Sequence, residues 1–132
     1  MKLTLVSAVA LVDIDGRVLL SKRPKGKYLE ELWEFPGGKM EEGETPEHAL
    51  IRELREELNI ETWSSCLAPL TFASYTYTEF HLLMPLFVCR KWDGIPTPQE
   101  GQKLTWVFPK DIKNYKMPPA DVPIAAIIKD WI

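Results

Sequence analysis

The sequence predicts an α/β fold, a mixed β-sheet with helices on its faces, and three observations predict it. Apolar, β-branched runs recur along the chain, two helical patterns are set well apart among them, and 132 residues amount to one domain. Such a length buries roughly two-thirds of the unfolded surface, so 1–132 is expected to carry its own core. The 45% hydrophobic and 27% charged fractions are ordinary for a globular chain and exclude disorder, collagen and coiled coil.

Taken in order, residues 3–13 and 17–23 are apolar-rich, and Asp15-Gly16 between them is a hairpin turn signal. A charged loop follows over 24–32. Trp33-Glu34-Phe35 reads as extended, because Pro36 biases its predecessor away from helix. Gly37-Gly38 predicts a loop whose backbone comes close to something. Thr45 as N-cap, Pro46 in the first turn and Glu47 at the positive end of the dipole start a helix. Leu50, Ile51, Leu54 and Leu58 continue it at helical spacing, and Asn59 ends it in the left-handed conformation with Ile60 packing back, so it runs over 46–58. Residues 62–77 and 81–90 are predicted to pair as strands through a turn near Thr78-Glu79. Residues 93–103 form a Pro- and Gly-rich loop, and 104–108 a further strand. After the irregular Met117-Pro118-Pro119-Ala120, Asp121 is positioned to cap a last helix holding Ile124, Ile127, Ile128 and Trp131.

Charge is unevenly placed. The chain carries −3 overall, too acidic to hold a polymeric nucleic acid by bulk electrostatics. Residues 41–61 hold eight glutamates against Arg52 and Arg55, a local charge of −6. At about 100° per residue from Leu50, the core stripe spans 0–100°, while Glu56, Glu53 and Glu57 fall near about 240°, 300° and 340°. Three carboxylates thus share a sector beside the buried stripe, where like charges repel. Two readings remain open at this point: a solvated face paired with the arginines, or a site for a hard divalent cation such as Mg²⁺ or Mn²⁺.

The context of that helix adds a resemblance. Gly38, five residues, Glu44, seven residues, then Arg52-Glu53-Leu54-Arg55-Glu56-Glu57-Leu58-Asn59-Ile60 resembles the Nudix box, with Asn59 where the family has glycine. Eight of nine defining positions agree over 23 residues. The resemblance implies an α/β/α sandwich and Mg²⁺-dependent hydrolysis of a nucleoside diphosphate linked to another moiety, with Mn²⁺ as a possible substitute. It assigns Glu53, Glu56 and Glu57 to the metal, with help from the Gly38 carbonyl. Glu44 falls at a structural glutamate and Arg52 at the arginine that orients the others. The reaction needs a base for the attacking water, and Glu53 is one candidate.

Outside the box, Trp33-Glu34-Phe35-Pro36-Gly37-Gly38-Lys39, Glu100-Gly101-Gln102 with Trp106, and Met117-Pro118-Pro119-Ala120-Asp121-Val122-Pro123 resemble the MutT-type branch of the family, whose members hydrolyse 8-oxo-dGTP. By that resemblance Glu100 is a further metal ligand or an alternative base, Arg23 and Lys39 contact phosphate, and Phe35 walls a base pocket. Asp121 falls where the purine edge is read. An ionised carboxylate facing N7–H accepts from 8-oxoguanine and repels the N7 lone pair of guanine, whereas one facing N1–H and the 2-amino group recognises guanine without reading oxidation. Relatives that place an arginine near Phe80 differ from the Thr78-Glu79-Phe80-His81 segment here. A CTP or damaged-pyrimidine triphosphate is the same-family alternative substrate, and a non-catalytic nucleotide-recognition domain the alternative of a different class.

Cys66 and Cys89 form no metal or redox spacing and are expected to be buried thiols. With Met1–Val6 too short for a leader or a span, the expectation is a cytoplasmic protein, monomeric or weakly dimeric, with no membrane partner.

Overall fold

In the computed structural model, which describes residues 1–132, two sheets lie between two helices. Strands β1 (Lys2–Leu11), β2 (Val18–Lys22), β3 (Trp33–Glu34) and β4 (Gly37–Lys39) precede helix α1 (Pro46–Leu58). Strands β5 (Ala68–Thr76), β6 (Phe80–Cys89) and β7 (Lys103–Val107) follow, and helix α2 (Asp121–Trp131) closes the chain. The larger sheet has the order β4-β1-β6-β5 and the smaller β3-β2-β7. The β1–β6 pair is parallel and the others antiparallel, so the larger sheet is mixed.

Burial along β1 explains the layering. Residues 8–12 are all buried, and alternate residues enter two different clusters. Ala8, Ala10 and Val12 pack with Ile124 and Ile128 of α2. Val9 and Leu11 pack with Leu50, Leu54 and Leu58 of α1. A strand covered on both faces has to be central, with a helix on either side. Each fully buried leucine contributes about 1.5–3 kcal/mol. No helix is long and apolar enough to cross a membrane.

Several expectations are corrected. The Asp15-Gly16 turn forms, with Asp13 Oδ1 accepting from Asp15 N–H and Arg17 N–H, but β1 and β2 do not make a hairpin. Only the Val12–Val18 bridge joins them; β1 pairs with β4 and β6, and β2 with β3 and β7. Gly37–Lys39 is a strand rather than a loop. It lies so close to β1 that a Cβ on Gly37 would strike the Ser7 carbonyl. The strand expected from 62 begins at Ala68, since Ser64–Cys66 coil into a 3-10 turn. Cys66 is only half-buried, whereas Cys89 is buried; both are free thiols. Within α2, Trp131 is 74% exposed and takes no part in the core.

Helix α1 keeps the expected bounds. Thr45 Oγ1 accepts from His48 N–H, and Asn59 adopts φ 56°, ψ 40° with its N–H bonded to the Arg55 carbonyl. Asparagine therefore ends this helix as glycine would.

Candidate active site

Four elements converge on one side of α1. Strand β4 brings Gly38 and Lys39, β3 brings Glu34 with Phe35 just after it, Arg23 directly follows β2, and the loop before β7 brings Glu100 and Gln102. They enclose two adjoining cavities. A polar one of about 370 Å³ is lined by Arg23, Lys27, Glu34, Glu53, Glu57 and Glu100, among other polar residues and glycines. An apolar one of about 310 Å³ is walled by Phe35, Tyr77, Phe80, Leu82 and Met84, with Asp121 beside them. Arg23, Glu34, Gly37, Gly38 and Lys39 border both.

Arg52 organises the carboxylates. Its Nε and Nη2 donate to the two Glu44 oxygens at 2.8 and 3.0 Å, and Nη1 donates to Glu53 at 3.0 Å and Glu56 at 3.3 Å. Nη2 also reaches the Lys39 carbonyl at 3.1 Å, tying β4 to the helix. Arg52 itself lines neither cavity, so it acts through the residues it holds. Glu53 lies against Gly38, where any Cβ would fall on its carboxylate. Glu57 is largely buried, and its pKa is pushed up to about 9 by that burial first, then by Glu53, Glu100 and Glu34. That is an excess of negative charge in one cavity.

The sequence-derived residues separate into three groups. Gly38, Glu53, Glu57, Glu100, Arg23 and Lys39 share the polar cavity; Phe35 and Asp121 share the apolar one. Glu56 is apart: it lines neither cavity, and its side chain is 56% exposed and held by Arg52. Asp121 does not cap α2: Ala120 holds the cap position without a side-chain bond. Asp121 instead is 6% exposed, and its Oδ2 accepts the Phe35 N–H at 3.4 Å. Burial first, then the nearby Glu34, pushes its pKa up to about 7. The neutral acid, which can donate as well as accept, is therefore populated near neutrality, contrary to the acceptor-only expectation.

Two residues were not singled out from the sequence. Glu34 borders both cavities, pairs with Arg23 Nε at 3.0 Å and has its pKa raised by burial. Gln102 donates from Nε2 to the Glu57 carbonyl at 2.9 Å and accepts the Glu100 N–H at 2.7 Å. Their only signal was membership of the Trp33–Lys39 and Glu100–Gln102 segments.

The donors suit a hard divalent cation, which takes carboxylate and carbonyl oxygen. Glu53, Glu57 and Glu100 bring such oxygens into one cavity, and the raised Glu57 pKa marks charge without a counterion. The carboxylates are not drawn together as a finished cluster of three ligands.

Fold and cavities define a small α/β protein with a carboxylate-lined cleft beside an apolar pocket. The NUDIX domain family model matches residues 7–126, and the chain belongs to the Nudix family of pyrophosphohydrolases. It is 31% identical over 115 residues to the 8-oxo-dGTP diphosphatase of Escherichia coli, covering 87% of this chain and 88% of that one. It is 36% identical over 121 residues to the CTP pyrophosphohydrolase of the same organism, covering 87% and 84%. A solved structure from work on MutT of Aliivibrio salmonicida and Vibrio cholerae superposes with a TM-score of 0.84 at 30% identity, covering 99% of this chain and 100% of that one.

Proposed function

We propose that this protein hydrolyses 8-oxo-dGTP to 8-oxo-dGMP and pyrophosphate with Mg²⁺, clearing an oxidised precursor from the nucleotide pool and so preventing mutation. One observation carries the proposal: an apolar cavity holding a buried carboxyl opens into a polar cavity holding both cations and carboxylates. The first suits a base and the second a polyphosphate. Bound Mg²⁺ would neutralise the polyphosphate and lower the pKa of the attacking water. Glu53, Glu57 and Glu100 would hold the metal with the Gly38 carbonyl, and Glu56 would join from the rim. Arg23, Lys27 and Lys39 orient the phosphates, while Glu53 or Glu100 takes the proton from water at a carboxylate oxygen. Phe35 walls the base pocket, and Asp121 pairs with the base edge. In its neutral form Asp121 offers an acceptor to N7–H and a donor to O6, the two neighbouring groups of 8-oxoguanine.

CTP is a second reading, favoured by the 36% identical CTP pyrophosphohydrolase and by the same donor–acceptor pair, which also complements N3 and the 4-amino group of cytosine. Normal and oxidised nucleoside triphosphates, assayed with Mg²⁺ and with products identified, decide between the two. The highest kcat/KM on 8-oxo-dGTP, with pyrophosphate released, is expected. A preference for CTP or a pyrimidine analogue replaces the first reading by the second, and no hydrolysis of any nucleotide removes both.

A further inference from the structure

Ser7 is fully buried in β1, and its hydroxyl is the one buried side-chain polar atom without a hydrogen-bond partner. A buried hydroxyl left unpaired is costly to the fold, so its surroundings matter. Alternation along β1 turns Ala8 and Ala10 toward α2, and Val9 and Leu11 toward α1. Ser7 therefore projects on the α1 face. It stands directly opposite Gly38 across the antiparallel β1–β4 pair, and opposed residues project to the same face of a sheet. The place that a Gly38 side chain would take is filled by the Glu53 carboxylate. Glu53 is thus the group that enters the space beside Ser7, and its one side-chain cation, Arg52 Nη1, engages Oε1 at 3.0 Å.

We propose that Ser7 is a positioning residue for Glu53, its hydroxyl donating to the carboxylate when Glu53 turns to engage a divalent cation. Gly38 supplies the room, Arg52 holds one oxygen, and Ser7 fixes the other. The unpaired hydroxyl is then the cost of a seat that is filled when a cation binds. Side-chain torsions of Glu53 close the gap and the backbone stays where it is. This rests on the divalent-metal reading above, although it is independent of which base is preferred.

Ser7→Ala separates a seat from a mere packing defect. The substitution removes the unpaired hydroxyl and adds no volume, so the chelator-treated variant is expected to melt a few degrees higher than wild type, roughly 3 °C. Its Mn²⁺ dissociation constant, read from the electron paramagnetic resonance of free Mn²⁺, is expected to rise roughly tenfold, the scale of losing a group that orients a ligand. With saturating metal, kcat falls while KM for the nucleotide stays within about twofold, since Ser7 touches no substrate. Wild type that binds Mn²⁺ together with a Ser7→Ala protein of unchanged affinity overturns the seat alone. A lower melting temperature in the metal-free variant also overturns it, because the hydroxyl would then be stabilising the fold. Wild type that binds no Mn²⁺ overturns the metal reading and the seat with it.

Discussion

Arg52 and Glu44 are joined by two parallel hydrogen bonds, Nε to Oε2 at 2.8 Å and Nη2 to Oε1 at 3.0 Å. The pairing fastens the approach to α1 onto its second turn, and from there the same guanidinium reaches Glu53 and Glu56. Bonds from Arg52 first, then the Glu41 N–H, hold the Glu44 pKa at about 2, below its ordinary 4.5. A depressed carboxylate pKa stabilises the fold above pH 4.5, and that contribution is lost as pH falls through 2. Thermal melts of wild type and Glu44→Gln should therefore differ at pH 7 and converge toward pH 2. Arg52→Lys keeps the charge but loses the fork, and kcat should fall roughly tenfold. A gap that stays constant across this range removes the pair from the acid response.

Glu57 behaves in the opposite sense. Its pKa of about 9 lies above the ordinary 4.5, so its share of stability is full below pH 4.5 and is lost as pH rises through 9. Chelator-treated protein is expected to lose melting temperature between pH 5 and 9. Added Mg²⁺ should restore it, by more at higher pH, because the cation takes the place of the proton. Glu57→Gln should flatten that slope, shrink the Mg²⁺ increment and reduce kcat by orders of magnitude in a folded protein. Near-normal turnover would withdraw Glu57 from the metal.

These two glutamates also mark how far the sequence could be read. Thr45, Pro46, the leucine spacing and Asn59 are local signals, and α1 has the bounds they predict. The sector shared by Glu53, Glu56 and Glu57 follows from helix geometry, and the same angles set Glu56 farthest from the core stripe, where it is exposed and paired with Arg52 one turn back. Strand partners are set over long range. The apolar run of β1 gave no hint that it would leave β2 for β6, since a parallel partner some eighty positions away leaves no local mark. Gly37–Lys39 lacks any strand pattern and is extended because β1 pairs with it. Asp121 looked like a helix cap, as acidic residues at helix starts do, yet it is turned inward to the Phe35 N–H. Burial of that kind depends on Pro118, Phe35 and Tyr77 meeting across the fold.

Asp121 carries a third prediction. Its pKa of about 7 lies above the ordinary 3.8, with burial as the main cause, so the proton leaves within the working pH range. Above pH 7 the acid loses the donor proposed to face O6 and keeps only acceptors. The kcat/KM of wild type on 8-oxo-dGTP, divided by that of Asp121→Asn, is expected to fall from pH 6 to pH 8, since the amide keeps both functions at every pH. Asp121→Ala should lower the 8-oxo-dGTP to dGTP ratio by about one to two orders of magnitude, the scale of one or two lost buried hydrogen bonds. An unchanged ratio would sink base reading by this residue.

Gln102 provides the last test, because it fastens the loop that carries Glu100 to the helix that holds the metal candidates. The Glu57 carbonyl accepts both from Gln102 Nε2 at 2.9 Å and from the Gln99 N–H at 3.0 Å, while the Leu58 carbonyl accepts from Thr97 N–H at 2.9 Å. Helix-end carbonyls that need partners thus fix the loop, and Gln102 Oε1 in turn holds the Glu100 N–H. Gln102→Ala should cost about 1–2 kcal/mol of stability for these two bonds. It should also reduce kcat by letting Glu100 leave the cavity. If that is its route, adding Gln102→Ala to Glu100→Gln lowers kcat no further, whereas independent effects multiply. The same Glu100→Gln protein, compared with Glu53→Gln across pH, tells base from ligand. Removing the base abolishes the acidic limb of the rate profile, and removing a ligand lowers the whole profile and raises the Mg²⁺ requirement. Equal, mild losses in both variants would leave neither carboxylate as the base.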